Sequence, residues 1–412
     1  MTRLLSPCGN RETLMAAIKA GADAVYFGVS GMNMRASARN FELSELDLIS
    51  RICSEYSVIP FLTLNTIVFP GEEIRIKRIL ETAVSSGIHN IIAWDLSVVK
   101  MIRDFDLSLT VSTQAGCTNL ESALMWEALG AKTIVFAREL SLENITTIKN
   151  GLIDRGSSLN IECFAHGAMC VAISGRCFFS EHLYEKSGNR GECLQPCRRK
   201  YLATDMETGN QIAFDRHTIF SPKDLCTLPI VDRLIYAGID ILKIEGRNRD
   251  PYYVHTVTSC YRKAIDAVKV GNFTTDMKTS LMSEIEKVYS KGYHTGFYLG
   301  LPTSDDFSTI ENNASKFKKL YVGRIEKYYS RINVFDLNAF SFDVTVGDHF
   351  IITGTTTGFL EGTIVSIENN ENQSINIGKK GGLYGIRPST DVKVRTGDKF
   401  FVLKEVKNVN FR

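Results

Sequence analysis

Eight short apolar segments alternate with amphipathic stretches from residue 3 to about residue 272, and this alternation restricts the fold more than any other feature of the chain. The candidate strands are Leu4–Ser6, Ala24–Phe27, Val58–Leu64, Asn90–Trp94, Leu109–Ser112, Thr133–Phe136, Asn160–Phe164 and Ile241–Ile244. They are short and apolar, as parallel strands buried on both faces must be. Helical periodicity between them predicts Arg11–Ala20, Leu43–Tyr56, Glu72–Ser86, Ser97–Asp104, Leu120–Leu129, Leu142–Asp154 and Lys223–Ala237. Asn10, Ser44, Asn119 and Ser141 suit N-caps. Eight such units in about 270 residues fit a (β/α)8 TIM-like barrel. An open doubly wound sheet is the alternative, but no G-x-G-x-x-G follows the first strand.

Chemistry in such a barrel belongs at the C-terminal ends of its strands. Those ends read Ser6 and Cys8, Asn65, Asp95, Gln114, Arg138 and Glu139, His166, then Lys243, Glu245 and Arg247. Arg35 and Asn40 fall in the loop after the second strand. Lys243 and Glu245 share one face of the last strand by its two-residue period, a paired polar floor if that face is the interior.

The stretch after the seventh strand is poor core material. It holds Cys163, Cys170, Cys177, Cys193 and Cys197, half of the chain's ten cysteines, with Gly167, Gly175, Gly188 and Gly191, and ends in Arg198-Arg199-Lys200. About sixty residues there without a clear helix are too many for an ordinary βα loop. A small hairpin, Tyr201 to Arg216, is expected around Thr208-Gly209-Asn210. The thiols have several uses: disulfides, structural zinc, an iron–sulfur cluster, or plain buried thiols. The N-terminus MTRLLSPCGN lacks a long apolar region, so a cytoplasmic location with reduced thiols is expected. Zinc sites usually show two close cysteine pairs, and only Cys193-x-x-x-Cys197 is close. A cluster takes four thiolates at irregular spacing.

From Lys318 the period changes to short alternating strands with Gly and Asn turns, so a small all-β barrel is expected. The domains read as 1–275 for the TIM-like barrel, with the Cys-rich insertion at 168–216 after strand seven, 276–317 for a helical linker, and 318–412 for the β-barrel. Net charge is +2, so an RNA site must be a local patch. No apolar run reaches the length of a membrane span. Neither membrane nor DNA is an expected partner.

The central motif runs Glu162-Cys-Phe-Ala-His-Gly-Ala-Met-Cys170, Ser174-Gly-Arg-Cys177, and Gly188-Asn-Arg-Gly-Glu-Cys193-Leu-Gln-Pro-Cys-Arg198. It closely resembles the signature of the collagenase-like peptidase family U32. Gly21–Gly28, Ser112-Thr-Gln114, Ala137–Ser141, Ser221–Cys226 and Leu242–Arg247 agree with it, so the resemblance covers about residues 3–270. Departures are Cys8 in place of a small residue, Cys163 in place of an aliphatic one, and the residue after Gln114.

The resemblance implies oxygen-independent hydroxylation rather than proteolysis, since branches of the family act on tRNA wobble uridine, ribosomal RNA cytidine and the ubiquinone ring. Length and the C-terminal β domain make the chain most similar to the tRNA branch. That implies tRNA as partner, 5-hydroxyuridine as product, a 4Fe-4S cluster, prephenate as co-substrate, and a partner protein of the same family. The implied ligands are Cys170, Cys177 and Cys193, with Cys226 preferred over Cys197 as the fourth. Prephenate is a dicarboxylate, which Arg forks bind in bidentate fashion. Arg35, Arg138, Arg176, Arg190 and Arg247 are the candidates, with Asn65 and Gln114 also substrate-binding. His166 and Glu162 are acid–base candidates with Lys243 and Glu245, since neutral histidine titrates in the useful range. Arg198-Arg199-Lys200 with Tyr201 suits RNA phosphate and a stacked base, or simply a solvated basic face. The competing functions are a peptidase and a zinc-stapled RNA-binding scaffold. The chain has neither H-E-x-x-H nor G-x-S-x-G, and a Cys–His pair such as Cys170 with His166, four residues apart in a loop, is weak support for a peptidase.

Overall fold

A computed structural model of the chain describes residues 2–36, 40–172, 175–214, 221–310 and 313–405. Strands β1 (Arg3–Pro7), β2 (Ala24–Gly28), β3 (Ile59–Thr63), β4 (Asn90–Ala93), β5 (Ser108–Val111), β6 (Ala131–Val135) and β7 (Asn160–Gly167) lie parallel in sequence order. An eighth strand, Ile241–Ile244, pairs in parallel with both β7 and β1 and closes the barrel, as expected. Six helices occupy the first six connections: α1 (Arg11–Lys19), α2 (Leu46–Glu55), α3 (Glu73–Ser85), α4 (Leu96–Asp104), α5 (Leu120–Ala128) and α6 (Leu142–Asp154). Asn10, Asn119 and Ser141 cap α1, α5 and α6 through their side chains, whereas Ser44 lies in a short 3-10 turn ahead of α2.

The barrel has two apolar layers. Leu5, Ala24, Tyr26, Phe61, Ile92 and Ile241 fill its interior. The opposite faces of the same strands pack on the helices in the larger core. A barrel strand therefore buries both faces, and that is why the sequence shows apolar runs instead of clean alternation.

The seventh connection differs from the expected helix over Lys223–Ala237. Asp224–Cys226 is a strand antiparallel to the end of β7, with Leu225 opposite Gly167 and Cys226 opposite His166. Pro229 has no N–H to give a helix interior, so the helix is shortened to Val231–Tyr236. β7 runs past the barrel rim, and its free edge takes up Asp224–Cys226, which in turn pairs with Tyr293–His294. The Cys-rich insertion holds a short helix, Phe179–Tyr184, that the sequence did not signal. It also holds the hairpin, paired from Tyr201–Thr204 to Gln211–Phe214. Arg216, its expected end, and Ser174 of the central motif lie outside the described residues.

Six antiparallel strands close the C-terminal barrel: Phe317–Tyr329, Val334–Ala339, His349–Gly354, Gly358–Glu368, Gly382–Pro388 and Lys399–Glu405. Its own core centres on Phe335, Phe350 and Phe400. One outer face, with Ile351, Phe359 and Leu403, joins the core of the first barrel. There Phe359 stacks on Tyr252 and His255 of the helix Pro251–Lys269. Among the described residues no helix is long and apolar enough to cross a membrane.

Candidate functional site

A cavity of about 560 Å³ opens at the C-terminal ends of the barrel strands. Six strands each aim one inward residue into it: Tyr26, Thr63, Ile92, Val135, Phe164 and Lys243. Of the expected substrate-binding residues, Arg35, Asn65, Gln114, Arg138 and Arg247 line it, as do Lys243 and Glu245. Reading only strand ends overlooked Tyr26 and Thr63. Both point inward, and the two-residue parity shared with Ala24 and Phe61 would have found them.

The floor is electrostatically dense. Arg35 pairs with Glu245 at 2.9 Å, and Tyr26 donates its hydroxyl to Glu245 Oε2 at 3.1 Å. Burial alone would raise the Glu245 carboxyl, but Arg35, Arg138 and Arg247 hold it down at about 2. It is therefore an anion at neutral pH. Arg247 donates to Thr63 Oγ1 at 3.0 Å, and burial pushes its guanidinium down to about 10. Arg138 donates to the Ala168 carbonyl at 2.7 Å and lies 3.8 Å above the Phe164 ring. Lys243 Nζ meets Glu162 Oε1 at 2.6 Å and sits 4.5 Å from the centre of the Tyr26 ring. Lys243 and Glu245 do share the interior face, yet each pairs elsewhere rather than with the other. Five cations face the cavity, counting Arg198, against Glu139, Glu245 and the Glu162 below. The site is positive and suits an anionic ligand.

On one wall Asn65 donates to Ser112 Oγ and to Gln114 Oε1, each at 3.2 Å. Ser112 donates to the same Gln114 oxygen at 2.5 Å. These amides are held by neighbours, which orients them toward the cavity without a charge.

Cys170, Cys177, Cys193 and Cys197 all line this cavity. Burial pushes the Cys197 thiol up to about 11, with Cys170, Cys193 and Cys177 adding to the rise because they lie close by. The backbone N–H groups of Phe179 and Gln195 point at the sulfurs of Cys177 and Cys193, each at 3.3 Å. Among the described residues no three His, Cys, Asp or Glu side chains are close enough to hold a single metal ion. The four thiols share the lining of one cavity.

Several expectations are corrected. Cys226 does not join the other thiols; it is buried beside Met282 and the Tyr261 hydroxyl, behind β7. Its strand pairs with the extension of β7 and its thiol does not line the cavity, whereas Cys197, the alternative fourth ligand, does. His166 is 1% exposed and enclosed by Tyr253, Tyr261 and Tyr293, outside the cavity. Burial, then Arg249, pushes it down to about 3. Its Nε2 has no hydrogen-bond partner. Glu162 lies wholly buried beneath Lys243 and does not line the cavity. Arg176 donates to the Gln114 carbonyl at 2.8 Å and lies over Trp94, beside a smaller pocket. Arg190 pairs with Glu72 and donates to the Ile67 carbonyl. Both arginines pin the Cys-rich segment to the barrel rim instead of reaching the cavity. Cys8 is buried in the core, with its thiol directed at the Tyr26 carbonyl. Cys53, Cys117 and Cys260 are core thiols as expected.

The family model described as Peptidase family U32 matches residues 9–307. A protein named collagenase from Porphyromonas gingivalis is 36% identical over 97% of this chain and 97% of its own. A protein named uncharacterized protease from Methanocaldococcus jannaschii is 36% identical over 98% of this chain and 99% of its own. A protein named tRNA hydroxylation protein P1 from Bacillus subtilis is 31% identical over 79% of this chain and 77% of its own.

Proposed function

The chain belongs to peptidase family U32, and from that premise we propose that it is an iron–sulfur-dependent, oxygen-independent RNA hydroxylation enzyme. In this reading it forms 5-hydroxyuridine in tRNA, with prephenate as the hydroxyl source. The observation that carries the reading is the cavity itself, where Arg35, Arg138 and Arg247 surround one ionised carboxylate beneath four gathered thiols. The name of the Bacillus subtilis relative supports RNA hydroxylation.

Cys170, Cys177, Cys193 and Cys197 would hold the 4Fe-4S cluster. A single zinc holds its thiolates about 2.3 Å away, which crowds them together. A cluster takes one thiolate on each of four irons, and these four cysteines supply that number. When bound, the cluster supplies electron transfer or a Lewis-acidic iron. The chain's own residues bind and orient. The guanidiniums meet the carboxylates of prephenate, and Glu245 offsets their mutual repulsion. A uridine must leave its stack to reach the cavity, and the amides of Asn65 and Gln114 suit the polar edge of its base. Lys243 and Glu245 are the groups able to move a proton at the floor.

The names of two relatives favour a peptidase instead. The site does not, since no histidine lines the cavity among the described residues and His166 faces away from Cys170.

The test is metal content after anaerobic purification, with nucleoside analysis of tRNA. Wild type and Cys226→Ala should each hold about four iron and four sulfide per chain. Cys197→Ala should lose them, together with 5-hydroxyuridine in cells. One zinc without sulfide would sink the cluster and favour the scaffold. Cleavage of denatured collagen by the pure protein would favour the peptidase.

A further inference from the structure

We propose that the outer face of the C-terminal barrel carries a second RNA contact, an aromatic platform that stacks the single-stranded nucleotides next to the one in the cavity. This rests on the reading that the substrate is RNA. The platform is Tyr321, Phe340 and Phe401. Tyr321 and Phe401 are paired across adjacent strands with ring centres 5.3 Å apart, and Phe340 meets Tyr321 edge-on at 5.5 Å. Phe340 is 48% exposed and Phe342, two residues on, 45%. The alternate residues Val322, Phe400 and Val402 fill the C-terminal barrel, so the three rings lie outside its core, and Phe401 alone also packs against the core of the first barrel. Large aromatic side chains held together at a surface mark a contact site.

Charge selects the partner. Residues 316–327 carry five basic side chains and one acidic one, in a chain whose net charge is only +2. Lys319 Nζ lies 4.6 Å from the centre of the Phe401 ring, and Arg324 Nε reaches the Tyr321 hydroxyl at 3.4 Å. Aromatic faces edged by cations are what a strand of stacked bases and phosphates requires.

Position ties the platform to the cavity. Arg247 and Asn248 line the cavity, Arg249 follows, and Asp250 forms an ion pair with Lys319. Four consecutive residues thus lead from the rim of the site to the edge of the platform. A strand whose target base enters the cavity passes over Arg249 and reaches Phe401 and Tyr321 next.

The test is fluorescence anisotropy of the full chain with a labelled uridine-rich single-stranded RNA and with total tRNA, on Tyr321→Ala/Phe340→Ala and on Arg324→Ala. The aromatic pair should weaken binding about tenfold. Arg324→Ala should lower the salt dependence by about one phosphate's worth. Melting temperature and iron content should stay at wild-type values. If the aromatic variant binds RNA like wild type while Arg247→Ala abolishes modification, the platform is wrong and the RNA reading stands. If wild type binds no RNA, both fall. If the aromatic variant instead loses binding to gelatin and keeps RNA, the surface takes protein and the proposal is overturned.

Discussion

His166 shows how a residue type suited to catalysis is used for packing. Its ring is enclosed by three tyrosines, and burial holds it neutral far below the ordinary histidine value of 6.5, at about 3. Between those two values the unfolded chain binds a proton that the folded chain refuses. Stability from this residue is therefore complete above about pH 6.5 and falls by about 1.4 kcal/mol per pH unit below it. His166→Phe should flatten that acid-side loss in urea midpoints compared at pH 7 and pH 5.5, and should leave tRNA modification intact. Loss of modification at unchanged stability would restore His166 to the catalytic list. The sequence put it there because a histidine ordinarily titrates in the range useful for acid–base work. Only the register with Asp224–Cys226 shows that it faces outward.

At the scale of elements, β7 and the eighth strand decide the site. They close the barrel against each other, and a β-bulge near their ends changes the register between Lys243 and Ile244. Gly167, at φ +109, ends β7 where an added Cβ would meet the Glu245 backbone, so the two strands converge at the rim. The buried Lys243–Glu162 pair spans this seam at 5% and 0% side-chain exposure. Lys243→Met leaves Glu162 buried and unpaired, which should cost about 3–5 kcal/mol in urea unfolding. Lys243→Met/Glu162→Leu should recover most of that loss. A double variant as unstable as the single would mean that shape, not charge, holds the seam. The spacing of Lys243, Ile244 and Glu245 was legible in the sequence. The partner of each was not, because Glu162 and Arg35 come from strands and loops far away in the chain.

In the whole molecule the two barrels keep separate interiors and meet at an apolar seam that includes Ile351, Phe359 and Leu403. Gly358 lies at this seam: at φ +67, an added Cβ would stand 2.8 Å from the Met15 carbonyl carbon and 2.9 Å from the Ala16 nitrogen. Lys19 donates to the Thr357 carbonyl and Lys399 to Glu12 at the same seam. Gly358→Ala should therefore part the barrels. Calorimetry should show one transition for wild type and two for the variant, with faster proteolysis near residue 316. A single unshifted transition in Gly358→Ala would mean that the seam tolerates movement.

The sequence by itself determined the barrel, because eight apolar segments with helices between them must bury both strand faces and can do so only beneath a ring of helices. It also determined the C-terminal barrel and most of the cavity arginines, because strand ends in such a fold face the mouth. Tertiary structure alone decided which thiols line the cavity, which arginines bind loops instead of lining it, and which way His166 points. Those are matters of register and of contacts between residues distant in the chain, and a one-residue shift of a strand reverses every side chain on it. No local pattern of residues carries that information.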